Sequence, residues 1–288
     1  MKTRLKCFAV AATLALLGFA PAPADQNEPS VQRPKFNFTL VPKPFQKNPQ
    51  LEMTVFTELT DFGRKQTAVS PEEPVRFVVH VKGAMSMGMG VGNERLPSQE
   101  ELEAVLYSAL EARGFLPATE DGPVPRFVLI FHWGSHYGMD LELAGLFPEL
   151  QRQHVLERSM LVGGHAFKKE IARMFDFGPL PKDRTPKMSA LFNQASSNLY
   201  YAVVSAYDFE SVAHDTPRLA WRTTMTVTSS GVAMEEALPP LVMTASDFFG
   251  REMAEPSAIW RHVRRGTVEM GPLRYIGEVD ESDLPESK

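Results

Sequence analysis

Met85, Met87 and Met89 alternate through a glycine-rich segment, Gly83-Ala-Met-Ser-Met-Gly-Met-Gly-Val-Gly92, so an extended loop would turn their thioethers to one side. His80 stands just ahead of them, and His132 and His136 follow in a later apolar run. Thioether and imidazole groups together suit copper(I). The same residues have a structural use as well. Methionine fills irregular core space, and glycine lets a loop pass close to another backbone. The expectation is that the methionines face the core, with a metal site of His80, Met85, Met87, Met89, His132 and His136 as the alternative. No resident cofactor is expected.

The same loop invites two other chemistries. Ala84-Met-Ser86-Met-Gly88 is a relaxed form of the nucleophile elbow, with alanine in place of the first glycine. A serine hydrolase would use Ser86, but the elbow needs a sharp strand-to-helix turn, and residues 87–97 intervene here before a helix can start. Gly88-Met-Gly90-Val-Gly92 resembles a phosphate cradle, yet Asn93 stands where the dinucleotide fingerprint requires its third glycine. With Pro97 ahead of the helix, its amides would not lie on the loop.

The elements that must hold this loop form a β-α-β unit over 75–133. Phe77, Val79 and Val81 share one face of a first strand. Ser98 with Glu101 makes a capping box, and Leu102, Val105, Leu106, Ala109 and Leu110 form one apolar stripe before Gly114. The next strand alternates Phe127, Leu129, Phe131 and Trp133 with Val128, Ile130 and His132. It is apolar on both faces, as a central strand would be.

An earlier strand is expected over 51–57. Residues 139–197 read as a helical insertion broken at Gly163-Gly164, for which the sequence supplies no reason. An antiparallel strand pair over 199–229 alternates cleanly, which predicts one solvated side. Pro239-Pro240 suit a helix start, with Leu241, Ala245, Phe248 and Phe249 inward, and 269–276 could add an edge strand. The fold class is therefore α+β with a mixed sheet and a C-terminal helix, in one domain over 51–276.

The chain ends are of a different character. Lys2, Arg4 and Lys6 precede an apolar run to Ala20, and Ala22-Pro-Ala24 supplies small residues for cleavage. Residues 1–24 are expected to be a secretory signal, with Asp25 the first mature residue in the periplasm or outside the cell. Cys7, the one cysteine of 288 residues, lies inside that signal. A Pro-rich extended arm (25–50) and an acidic tail (277–288) flank the domain. Removing Lys2, Arg4 and Lys6 leaves 27 Lys and Arg against 35 Asp and Glu, a charge of −8 against −5 for the whole chain. Such an acidic balance argues against nucleic-acid binding. No second run is apolar enough for a transmembrane span. Trp260, Arg261, Arg264 and Arg265 form a basic cluster that could meet an anionic surface or another envelope protein. Its bland reading is a turn whose cations pair with Glu252 or Glu255.

The closing sequence Leu110-Glu-Ala-Arg-Gly114-Phe115, the Pro125-led strand and Leu219-Ala-Trp221-Arg222 resemble a family of uncharacterised bacterial envelope proteins. That family is an α+β domain, exported or lipid-anchored, without an established activity. The resemblance covers roughly 51–133 and 199–253. This chain departs from it at Arg126, where an acidic residue is common, in lacking the lipid-attachment cysteine, and in the 139–197 segment. The resemblance implies location and fold and transfers no catalytic residue. The expected role is a non-catalytic binding or assembly module.

Overall fold

The computed structural model describes residues 42–263, apart from 67 and 89–93. The signal, most of the arm, the strand at 269–276, the acidic tail, Met89, Arg264 and Arg265 lie outside the described residues.

Strand β1 (Gln50–Leu59) is followed by a short helix α1 (Asp61–Arg64) and by β2 (Val75–Ala84), with β3 (Met87–Gly88) just beyond it. Helix α2 (Gln99–Glu111) starts where the capping signal puts it, with the Ser98 side chain accepting from the Glu101 N–H at 3.1 Å. Its stripe of Leu102, Leu106, Ala109 and Leu110 is buried. Gly114 (φ +85) then turns the chain so tightly that a Cβ there would lie 2.1 Å from Ser70 O. Phe115 opens β4 (Phe115–Pro117), and β5 (Phe127–Tyr137) completes the β-α-β unit, parallel to β2.

Helices α3 (Leu141–Leu146), α4 (Pro148–Phe177) and α5 (Pro186–Ser196) form the insertion. β6 (Leu199–Asp208), a short α6 (Phe209–Ala213), β7 (Leu219–Thr228), α7 (Met234–Ala245) and β8 (Ser257–His262) follow. The mixed sheet runs β4-β2-β5-β6-β7-β1-β8, with β3 paired to the end of β5. Neither edge is long and bare: β4 ends in Pro117, and β8 carries Arg261 and His262.

Helices α2 and α7 pack together over one face. There Phe77, Leu129, Phe131, Trp133, Met225 and Val55 meet Leu106, Leu238 and Leu241 in the main core. The helix of Pro239-Pro240 begins five residues before the prolines instead of at them. Glu236 accepts from the Ala233 N–H and caps the start, and Met234, Ala237 and Leu238 are fully buried. Packing of that first turn outweighs the loss of the two interior N–H donors.

The antiparallel pair β6–β7 forms in register from Leu199↔Thr228 to Ala206↔Trp221, but its expected solvated side is buried. Helices α4 and α5 lie over it, with Val155, Val162, Phe167, Ile171 and Leu191 making a second core that reaches Leu199. The sheet side chains beneath are largely polar, including Thr54, Thr224, Thr226 and Tyr201. Alternation reported the polarity of that face correctly. What covers it comes from the insertion, whose purpose is thereby explained.

The break in α4 is structural necessity. Gly163 and Gly164 leave helical geometry at φ −148, ψ 18 and φ 70, ψ −164. The second is a conformation essentially reserved for glycine. A Cβ on Gly164 would also sit 2.4 Å from Glu58 Oε1 and 2.5 Å from Phe56 Cε1. Gly164→Ala is expected to cost about 2–4 kcal/mol, from backbone strain and overpacking together. A urea unfolding midpoint equal to that of the parent would overturn this.

Candidate functional site

The C-terminal end of β5 gathers most of the polar side chains that sequence singled out, and the pleat of the strand sends them to opposite faces. On the α2/α7 side, Ser135 Oγ donates to Glu94 Oε2 at 3.0 Å and lies 3.4 Å from Ser86 Oγ. Tyr137 OH donates to the other Glu94 oxygen at 2.7 Å. Burial, reinforced by that carboxylate, raises the Tyr137 phenol well above its ordinary value. Ser86 itself is exposed. Its side-chain neighbour is a second hydroxyl, while His136, the nearest histidine along β5, projects from the other side of the strand. The strained turn of a nucleophile elbow is replaced by a pairing segment: Met85 N–H bonds Trp133 O at 2.7 Å, and Tyr201 OH donates to Met85 O at 2.6 Å.

The metal candidates separate along the strand. His80 is opposite Ile130 and His132 opposite Gly83, so those two imidazoles share a face on neighbouring parallel strands. His136 shares that face but is four residues further on, about 13 Å at strand rise, and it is Met87 that stands beside it in register. Met85 is exposed and Met87 half-buried, so the expectation that both face the core holds for neither in full. The two-cation neighbourhood of His132 also opposes a bound metal. Burial first, then Lys82 and Arg222, push its imidazole down to about 4. Among the described residues no group of three or more His, Cys, Asp or Glu is placed to hold a metal ion.

Glycine serves close approach here. A Cβ on Gly88 (φ +74) would lie 2.0 Å from Tyr137 O, and one on Gly134 would lie 1.8 Å from Met85 O. Each glycine lets the 85–88 segment press against β5.

Sequence reasoning missed the cluster on the α4 side. His154, Glu157 and Arg158 occupy i, i+3 and i+4 of α4, hence one helix face, and meet His136. Glu157 Oε2 is 3.0 Å from His136 Nε2, and the His136 and His154 rings stand edge to face at 5.8 Å. Arg158 is fully buried, its Nε donating to Ala195 O at 2.7 Å, where it caps the end of α5. Its Nη1 and Nη2 have no hydrogen-bond partner among the described residues. Burial lowers its guanidinium to about 10. Burial also lowers His136, with Arg158 adding to it and the Glu157 hydrogen bond opposing it. The His-x-x-Glu-Arg spacing was the available signal, but its partner on β5 lies 18 residues upstream across a loop.

The described part of the basic cluster, Trp260 and Arg261, lies in β8. Trp260 pairs with Glu52 and Arg261 with Leu51, so they point to opposite sides of β8 and form no common patch. Glu252 and Glu255 are taken by Arg64 and Lys187.

These features define an α+β protein built on a mixed sheet with helices over one face and over part of the other. No family model matches the sequence, and no curated protein does. Among solved structures it is similar, at 10% identity and a TM-score of 0.30, to the dodecamer of a PelC variant from Paraburkholderia phytofirmans, over 67% of this chain and 95% of that one. A PDZ domain protein from Parabacteroides distasonis aligns at 10% identity and a TM-score of 0.35, over 74% of this chain and 40% of its own. Likenesses this distant carry no argument about what the chain does.

The two depressed histidines set an acid limit. Their folded values lie below the unfolded one, so the unfolded chain takes up protons first as pH falls. The stability that the neutral rings confer is whole above about pH 6.5 and is lost as pH falls toward about 4. Urea midpoints should fall between about pH 7 and about pH 4.5, and His132→Gln should make that fall shallower. An identical slope in the variant would remove His132 from the account.

Proposed function

We propose that this chain is an exported cell-envelope protein that acts by binding or assembly and not by catalysis. The basic residues 2–6, the apolar run after them and Ala22-Pro-Ala24 support export. The family resemblance at Leu110–Phe115 and Leu219–Arg222 supports the envelope. Among the described residues no helix is long and apolar enough to cross a membrane.

One observation carries the binding reading. Helices α4 and α5 cover β1, β7, part of β6 and the C-terminal end of β5 at His136. The same face of β2 and β5 is left half-open: His80 and Lys82 are exposed, and Val78, Val128 and Ile130 are half-buried. The α2/α7 face of the same strands carries the main core, with Phe77, Leu129, Phe131 and Trp133 buried and Val79 and Val81 half-buried. A strip of sheet with apolar residues facing solvent beside a closed layer is a surface made to be covered.

Position-specific cross-linking tests this. A photoreactive residue in place of His80 should give a discrete protein adduct in intact envelopes, whereas one in place of Ala104, exposed on α2, should not. The mature protein recovered from that fraction should begin at Asp25. Adducts from both positions or from neither, or recovery of uncleaved chain, would overturn the reading.

A further inference from the structure

The open strip has an electrostatic character opposite to that of the protein. The chain as a whole is acidic, at −5. Yet the residues of β2 on this face are Arg76, Val78, His80 and Lys82, and those of β5 are Val128, Ile130 and His132, with Arg126 just ahead of β5 and bonded to Gln66. Arg222 of β7 closes the far side, opposite Ser205 in register and bonded to its Oγ at 3.1 Å. One carboxylate, Glu58, stands at that margin, opposite Arg222.

Several cations elsewhere are paired with carboxylates. Arg64 meets Glu252, Arg152 meets Asp176, Arg173 meets Asp183 and Lys187 meets Glu255. None of the ion pairs among the described residues includes Arg76, Lys82 or Arg222. Arg76 is held by a carbonyl, Pro117 O at 2.8 Å, which orients it without neutralising it. Burial first, and then Lys82 and Arg222, lower the imidazole of His132 at the edge of the strip.

We infer that the strip formed by β2 and β5 is the docking surface for an acidic polypeptide segment, whose carboxylates meet Arg76, Lys82 and Arg222 and whose apolar side chains lie on Val78, Val128 and Ile130. This deepens the binding reading above and rests on it. Charge complementarity sets the sign of the partner, and geometry sets its class. Arg76 and Lys82 stand six residues apart on β2, about 20 Å at strand rise. A few widely spaced cations with an apolar centre match a peptide of alternating character better than the dense phosphates of a nucleic acid. The α4 layer beside the strip stands about one helix diameter above the sheet, roughly 10–12 Å. That step keeps a flat lipid surface off the strip and admits a single chain.

Binding of the full-length protein to fluorescent poly-L-glutamate at low ionic strength tests the inference, with phosphatidylglycerol vesicles as a second arm. Saturable binding to poly-L-glutamate is expected, weakened about tenfold in the double variant Lys82→Glu, Arg222→Glu. Lys169→Glu, exposed on α4 away from the strip, should bind as the parent does. The milder pair Lys82→Gln, Arg222→Gln, checked by circular dichroism, should show the same loss if the reversal variant does not fold. No binding to poly-L-glutamate, an equal loss in Lys169→Glu, or binding to vesicles alone would overturn it. Cross-linking through residue 80 with no poly-L-glutamate binding would remove the acidic class and leave the binding reading standing. Failure of both would remove the two together.

Discussion

A polar sheet face buried under helices governs much of this structure. Thr54, Thr224 and Thr226 lie where an ordinary two-layer α+β domain would leave its sheet in water. Buried hydroxyls need partners, and the overlying layer supplies some of them: Gln194 of α5 takes the Thr54 hydroxyl, and Thr224 turns to Phe56 O. The close fit of α4 on β1 then requires the Gly163-Gly164 break, because a straight helix with side chains at those positions would strike Phe56, Glu58 and Phe167. The extent of that layer decides what stays open. Where α4 and α5 end, the β2–β5 strip begins.

The parts legible in sequence are those whose signals are local. Ser98 and Glu101, the 102–110 stripe and the double-sided apolar run of 127–133 specify α2 and β5 without reference to anything distant. The cover over β6 and β7 could not be read, since alternation describes the polarity of a face and not its neighbour. Pro239-Pro240 misled for a related reason. The proline rule describes isolated helix starts, while the burial of Met234, Ala237 and Leu238 against the sheet sets this one earlier.

The site residues divide the same way. Placing His80 and His132 on a common face needed only strand parity and parallel pairing. The separation of His136 from His132 follows from strand rise over four residues, whereas the meeting of Met87 with His136 depends on where β3 joins β5, which no residue type announces. The buried set of His136, His154, Glu157 and Arg158 joins a helix to a strand across a loop, and its helical half alone looks like an ordinary polar stripe. Arg158 shows how a single cation can be committed to architecture. It ties α4 to the last turn of α5 and holds that turn over Leu199.

The place of β1 in the sheet bears on when the protein can fold. The first strand of the domain lies between the last two, with Met53 opposite Val227 on one side and Ile259 on the other. During synthesis it emerges long before either neighbour exists, and pairings so distant in sequence form slowly. β1 is therefore obliged to wait unpaired until residues beyond 219 have appeared. Such a delay exposes apolar strands to chaperones, and it is also the interval in which an unfolded polypeptide can be threaded through a narrow channel.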